Sequence, residues 1–439
     1  MNVRELTLQL LDDYEISGKY VNLSLSSHAV RALPERERAQ LTALLYTTVE
    51  HKLTYDYYIA SLAGREISKI DVHTKNILRL GICQLLHIDS VPDFAAVSET
   101  VKLGRHKGER SFVNGLLRSL IRCRDEGTLP MPKREKNVAR YLSVAYSFPL
   151  QTVKRFIDLL GEEECEALLA SFGADRGFDI TVNTLKISRD EMLRLLEEQG
   201  IAACPSLHSS ISIRISRSYD PRILPGFDLG YFFVQDEACA VSAEVLDPAG
   251  ASSIIDVCSA PGGKAFSAAI LSSDRASILA LDIHESKLSL IESGAERLGL
   301  GSVRARVRDA TDPDESLFGS FDRVICDVPC SGLGVLGKKP DLRYKDSAAI
   351  AELPALQYRI LESSARYLAP GGVLVYSTCT LLPEENESIV QGFLREHSEF
   401  SAVEFSAGDL HSACGMLTTY PHKDSMDGFF IAKLIRKRT

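Results

Sequence analysis

From Ile254 to Thr378 the chain alternates short β-forming runs with helical repeats. IIDVC (254–258), SILALDI (277–283), VRARVRDA (303–310), FDRVICDVP (321–329) and GGVLVYST (371–378) read as strands. KAFSAAILS (264–272), KLSLIESGAERLG (287–299) and LQYRILESSARYL (356–368) read as the helices that separate them. Parallel strands need a long crossover between them, and helices of this length supply it. The pattern predicts a doubly wound, mostly parallel α/β sheet of the Rossmann-like kind. Ligands of such sheets bind beyond the carboxyl ends of the strands. Residues just past each strand are therefore the candidates for chemistry.

The residues before Ile254 follow other periods. AQLTALLYTTVEHKLTYDYYIASLAG, HTKNILRLGICQLLHID and ERSFVNGLLRSLIRCR repeat apolar residues at helical spacing, and the first 125 residues carry almost no strand signal. They predict an all-α bundle. RDEGTLPMPKREKN (124–137) has the prolines and charge of a linker. Beyond it, helical runs around VKRFIDLLG and EEECEALLASF precede FDITVNTLKIS, DEMLRLLEEQG and ISIRIS, which read as strand, capped helix and strand. The expected organisation is a helical domain with linker at 1–140, a small α+β module at 141–235 and the α/β domain at 236–439.

The net charge of −9 argues weakly against nucleic acid, but it is uneven. Arg65 to Arg140 holds fifteen Lys/Arg against nine Asp/Glu, a local excess of six that suits RNA or a solvated helical face. No run of 18 apolar residues is present, so no transmembrane helix is expected. MNVRELTLQLLDDY reads as a helix rather than a signal peptide, and a cytoplasmic protein is expected. Ten cysteines are scattered without C-x-x-C spacing, which favours reduced thiols and no metal.

The first crossover reads DVCSAPGGKAF, Asp256 to Phe266. Gly262 and Gly263 let the backbone approach a ligand at a helix start, and Asp282, 19 residues past Gly263, stands where an acid bonds ribose hydroxyls. The loop is neither a G-x-G-x-x-G nor a P-loop, which disfavours a dinucleotide or a nucleoside triphosphate. Its chemistry suits S-adenosyl-L-methionine, with Asp309 a further contact. At the exit of the fourth strand stand Asp327, Pro329 and Cys330; at the exit of the fifth stands Cys379. A thiolate that adds to carbon 6 of a cytosine turns carbon 5 into a nucleophile, and a carboxyl group such as Asp327 assists at N3. The residues alone do not choose between Cys330 and Cys379 as the nucleophile.

CSAPGGK (258–264), DVPCSGLG (327–334), KPDLRY (339–344) and YSTCT (376–380) resemble the RNA 5-methylcytosine methyltransferases of the Sun group. FVNGLLRSLIR (112–122) resembles the end of a NusB-like RNA-binding domain, and GYFFVQDEA (230–238) and DGFFIAKL (427–434) resemble further landmarks of the group. The resemblance implies Cys379 as nucleophile, Cys330 in product release and Asp327 at N3 of the base. It implies cofactor contacts from Cys258, Ser259, Ala260, Pro261, Gly262, Gly263 and Lys264, and from Asp282, Asp309 and Asp327. It further implies a monomer without a metal, acting on one cytosine of 16S ribosomal RNA. The alternatives are a transfer-RNA or 23S enzyme, or a non-catalytic RNA-binding protein of the antitermination type. Phe148 and Gly337 depart from the group's pattern, where histidine and a basic residue are common. Cys326 is expected in the core, and Glu384, Glu385 and Glu387 are expected to form a helix N-terminal turn favoured by the helix dipole.

Overall fold

The computed structural model describes residues 2–18, 21–25 and 27–438. Two compact units are present: Met1–Gly173 with Leu336–Tyr344, and Ala174–Val335 with Lys345–Thr439.

The first unit is helical. Its opening helix, Val3–Ser17, starts at a capping box in which Asn2 and Glu5 satisfy each other's backbone N–H groups. Glu35–Glu50, Lys52–Ala63, Val72–His87, Asp93–Lys102 and Lys107–Asp125 follow. Val72–His87 lies at the centre, with Ile77, Leu78, Leu80 and Ile82 wholly buried. Arg79 is buried there too, and its guanidinium meets both carboxylate oxygens of Asp56 at 2.7 Å. Val138–Ala145, Leu150–Leu160 and Glu162–Phe172 complete the helices.

Leu336–Tyr344 runs among these helices. Arg343, 3 % exposed, donates to the Glu50 carbonyl at 3.0 Å and its carboxylate at 3.2 Å, and lies 4.0 Å from the centre of the Phe148 ring. Asp341 accepts from the Val21 N–H at 3.1 Å. The two departures noted in the sequence both fall here. Phe148 supplies the face under the guanidinium, and a Cβ at Gly337 would come within 2.8 Å of the Phe172 carbonyl.

The second unit holds two principal sheets. The smaller consists of β1 (Phe178–Val182), β2 (Ala203–Pro205), β3 (Ser212–Ile215) and β4 (Phe232–Val234), all antiparallel, in the order β2-β3-β1-β4. Helix Arg189–Glu198, with its Ser188–Glu191 capping box, buries Met192 and Leu196. The larger sheet has a parallel centre of β5 (Ser253–Asp256), β6 (Ser277–Asp282), β7 (Val303–Val307), β8 (Phe321–Asp327) and β9 (Leu368–Thr378). Its spatial order is β9-β8-β5-β6-β7. The chain runs outward from β5 to β7, then returns to β8 on the other side. The crevice between β5 and β8 is thus the switch point of the sheet.

Beyond β9 come β10 (Phe400–Ala402), the β11 (Phe405–Ala407) and β12 (Leu410–Ser412) hairpin, β13 (Met416–Thr419) and β14 (Phe429–Arg436). β14 pairs antiparallel with β9, and β10 and β13 pair with β14, so the sheet is mixed. The antiparallel edge fixes the end of β9: Thr378 is opposite Phe430, one residue before Cys379.

Candidate active site

The strand ends carry the candidate side chains to one edge. β5 ends at Asp256 and leads into the Val257–Gly262 loop, which is tied on both sides. The Val257 N–H donates to the Ile325 carbonyl at 3.1 Å and the Ser259 N–H to the Leu281 carbonyl at 2.7 Å. Asp282 accepts from the Ala260 N–H at 3.3 Å and the His284 N–H at 2.9 Å. Gly262 has φ 109°, and a Cβ there would meet the Phe266 ring at 2.4 Å, so this turn is open only to glycine. Helix Gly263–Leu271 begins immediately after it. Asp309 lies two residues past β7 and accepts from the Thr311 N–H and hydroxyl at 2.8 Å each, which lowers its pKa. The neighbouring Arg308 N–H donates to the Asp282 carbonyl at 3.0 Å, joining the two acidic loops.

Lys264 points from the first turn of that helix to the end of β8. Its Nζ donates to Asp327 Oδ2 at 2.6 Å and approaches Cys239 Sγ at 3.5 Å. Burial opposes its charge, but Asp327, with Cys239 and Asp256, holds its pKa above the ordinary lysine value. Asp327 Oδ1 accepts from the Ser377 hydroxyl at 2.7 Å. The carboxylate is thus held by two donors, one from the cofactor-type loop and one from β9. Asp256 is buried behind it, and burial raises its pKa to about 7. Burial likewise pushes the Cys239 thiol up to about 12.

The two candidate cysteines come together. Cys330 Sγ and Cys379 Sγ are 3.1 Å apart, on loops that follow β8 and β9. The Gly334 N–H donates to the Cys379 carbonyl and the Gly428 N–H to the Gly334 carbonyl, both at 2.9 Å. A Cβ on Gly334 would fall 1.8 Å from the Gly428 carbonyl oxygen, so two glycines are what let these chain segments touch. Cys326 is wholly buried beside Ser364, in the core as expected.

One expectation is corrected. Of the glutamates expected in a helix N-terminal turn, Glu387 stands in it, but Glu385 precedes the N-cap Asn386 and lies outside the helix. The helix starts at Glu387, and the Glu385 side chain is buried completely between the cysteine loops. It accepts from the Ser331 N–H at 2.9 Å and from Gln357 Nε2 at 2.8 Å. Lys264, placed by resemblance among the cofactor contacts, has a definite partner here in Asp327.

Residues 243–435 match the family model described as 16S rRNA methyltransferase RsmB/F, and residues 1–122 match that of the NusB family. Residues 148–221 match the ferredoxin-like domain described for RsmF/B-like methyltransferases. A probable ribosomal RNA small subunit methyltransferase B of Synechocystis sp. is 34 % identical over 446 residues, with 99 % of each chain covered. This chain belongs to the RsmB/F family of 16S rRNA methyltransferases. Its similarity to the probable methyltransferase B of Bacillus subtilis (strain 168) is 33 % identity, again over 99 % of both chains. The crystal structure of PH0851 superposes with a TM-score of 0.79 at 26 % identity, covering 99 % of both chains. Within the RsmB/F family, then, residues 1–122 of the helical unit are NusB-like, the helices Leu150–Leu160 and Glu162–Phe172 with β1 to β3 fall in the ferredoxin-like match, and the mixed sheet lies in the methyltransferase match.

Proposed function

We propose that the chain transfers a methyl group from S-adenosyl-L-methionine to carbon 5 of one cytosine in small-subunit ribosomal RNA. The observation that carries this reading is the pair of thiols, Cys330 and Cys379, 3.1 Å apart and next to an Asp327 held by Lys264 and Ser377. Methylation of an exocyclic amine has no use for two thiols; methylation at a pyrimidine carbon does.

The residues fit the cofactor. The glycine turn at Gly262–Gly263, the carboxylate of Asp282 and the loop from Cys258 to Lys264 would hold its amino-acid and ribose parts, with Asp309 toward the base. Ser259 and Asp256 are both buried at this loop, and a Cβ at Gly262 would fill the turn against the Phe266 ring. When bound, S-adenosyl-L-methionine supplies the sulfonium methyl that carbon 5 accepts.

The chain's own residues do the rest. Cys379 adds as thiolate to carbon 6, forming the S–C bond and moving the ring electrons toward N3. With a proton taken up from solvent at N3, the N3–H donates to the Asp327 carboxylate, so the electrons that reach N3 meet a proton instead of building charge. Lys264 and Ser377 fix that carboxylate, so the contact needs no rearrangement. After methylation the Cys330 thiolate takes the carbon 5 proton, the C–H electrons restore the ring double bond, and the S–C bond to Cys379 breaks to return its thiolate. Cys330, beside Cys379, assists this release. The base must be unstacked to reach the pair, so a single-stranded or opened RNA segment is the substrate form.

The helical unit offers a surface for such RNA. Helices Asp93–Lys102 and Lys107–Asp125 border a groove of about 840 Å³. Lys107, Arg110 and Arg118 line it from one face of the second helix, and Phe94, 79 % exposed, stands on the first. Cations for phosphates beside an aromatic ring for a base are the recurrent elements of single-strand binding.

The test is methyl transfer from labelled S-adenosyl-L-methionine to protein-free 16S, 23S and transfer RNA, followed by bisulfite sequencing. One protected cytosine in 16S RNA is expected. Label in another RNA alone overturns the substrate, and label that survives at a position other than carbon 5 overturns the chemistry.

A further inference from the structure

Cys330 and Cys379 lie on loops, not strands. β8 ends at Asp327 and β9 at Thr378, so no sheet ladder holds either sulfur in place. Glu385 does. Its carboxylate is met by neutral donors. Oε2 accepts from the N–H of Ser331, the residue after Cys330, at 2.9 Å. The same oxygen accepts from Gln357 Nε2 at 2.8 Å, and that amide also donates at 3.0 Å to the carbonyl of Pro329, the residue before Cys330. Oε1 accepts from the hydroxyl of Thr380, the residue after Cys379, at 3.4 Å. Thr380 Oγ1 and Ser331 Oγ are 2.7 Å apart and close the circuit. The Glu385 carbonyl accepts from the Tyr376 hydroxyl at 2.7 Å, which anchors the clamp to β9.

A wholly buried carboxylate is costly unless its donors are held in place, and these donors flank both thiols. We infer that Glu385 is a positioning residue for the two-thiol step: it holds Cys330 and Cys379 at one pyrimidine ring. The inference rests on the methylation reading above. Carbons 5 and 6 are bonded neighbours, so the sulfur that adds at carbon 6 and the one that assists release at carbon 5 must stay within a few ångströms of each other. A displacement of roughly 1 Å costs about 100-fold in rate.

Glu385→Ala is expected to lower the single-turnover rate of methyl transfer about 100-fold, with the KM for RNA and the affinity for cofactor unchanged. Glu385→Gln is expected to restore most of the rate. Its amide oxygen still accepts from Ser331 and Gln357, and its NH2 donates to Thr380 Oγ1. The sulfur separation has its own readout, the rate at which diamide closes a Cys330–Cys379 disulfide. In that reaction the two thiols lose their hydrogens to the diazene as the S–S bond forms. Closure is expected to be fast in the parent, nearly as fast in Glu385→Gln and slow in Glu385→Ala. Thr380→Val removes only the hydroxyl between Ser331 and Glu385; it should slow both reactions and serves where Glu385→Ala does not fold. A folded Glu385→Ala or Thr380→Val protein with parental methylation and closure rates overturns the inference, as does Glu385→Gln failing as badly as Glu385→Ala. A parent protein that methylates no RNA overturns the reading beneath it, while the closure rates still decide whether Glu385 sets the thiol pair.

Discussion

Cys379→Ala is expected to abolish methyl transfer while leaving cofactor binding intact, and Cys330→Ala to trap the RNA on Cys379. Denaturing gel electrophoresis separates the two outcomes: no adduct in the first, a slow-migrating covalent band in the second. Parental activity in Cys379→Ala would reverse the roles assigned to the two sulfurs. Asp256, buried near Lys264 and Asp327, gives a prediction in pH. Burial raises its pKa to about 7, against an ordinary value of 3.8 in the unfolded chain. Between those values the folded protein keeps a proton that the unfolded chain has lost. Stability from this group is therefore full below the lower value, falls as pH rises toward about 7 and levels off above it. Asp256→Asn, neutral throughout, should show a flatter profile across the same window when cofactor-free protein is unfolded in denaturant at a series of pH values. A parent profile no steeper than that of the variant would mean that the Asp256 carboxyl ionises at its ordinary value.

Among the elements, the helix Lys107–Asp125 has the most direct test. Lys107, Arg110 and Arg118 follow one another at helical spacing along its groove face. Arg118→Glu should raise the KM for RNA and reduce the dependence of binding on salt, with kcat little changed. Phe94→Ala should weaken RNA binding by about 1–3 kcal/mol, the worth of one stacked base. Steady-state kinetics at two salt concentrations checks both, and unchanged KM values would remove this face from the RNA path. The elements also differ in how readily the sequence discloses them. β5, β6, β8 and β9 are legible because strands buried on both faces read as runs of Ile, Val and Leu, and helices separate them cleanly. The antiparallel edge is not. β10 to β12 are three residues each, too short for any period to emerge, and β14 owes its place to pairing with β9 rather than to local pattern. The site shows the same division. The glycine turn, the acids after the strands and both cysteines stand at strand ends and could be found there. Glu385 could not, since three glutamates near a helix start look alike until the fold buries one of them. Lys264 was visible as a residue, but its partner lies 63 positions away at the end of β8.

At the scale of the whole molecule, the chain leaves the methyltransferase unit after Val335, runs through the NusB-like unit as Leu336–Tyr344 and returns at Lys345. Both ends of this excursion are bound to the cysteine loops. Gly334 donates to the Cys379 carbonyl at 2.9 Å, and Lys345 Nζ donates to the Cys330 carbonyl at 3.0 Å. The middle is gripped by the helices through Arg343, which Glu50, the Tyr146 carbonyl and the Phe148 ring surround. Whatever loosens that grip adds freedom to the loop carrying Cys330, because the two are one short covalent segment. Arg343→Met is the test. It leaves the Glu50 carboxylate, whose pKa burial already raises, without its cation, at a cost on the order of 3 kcal/mol to the helical unit. The melting temperature should fall. The single-turnover methylation rate should fall with it at temperatures where the protein is still folded, while cofactor affinity holds, since the loop at Gly262 takes no part in the excursion. A lowered melting temperature with an unchanged methylation rate would make Leu336–Tyr344 a structural tie only. A fall in both would mean that the NusB-like unit and the cysteine pair are coupled through nine residues of backbone.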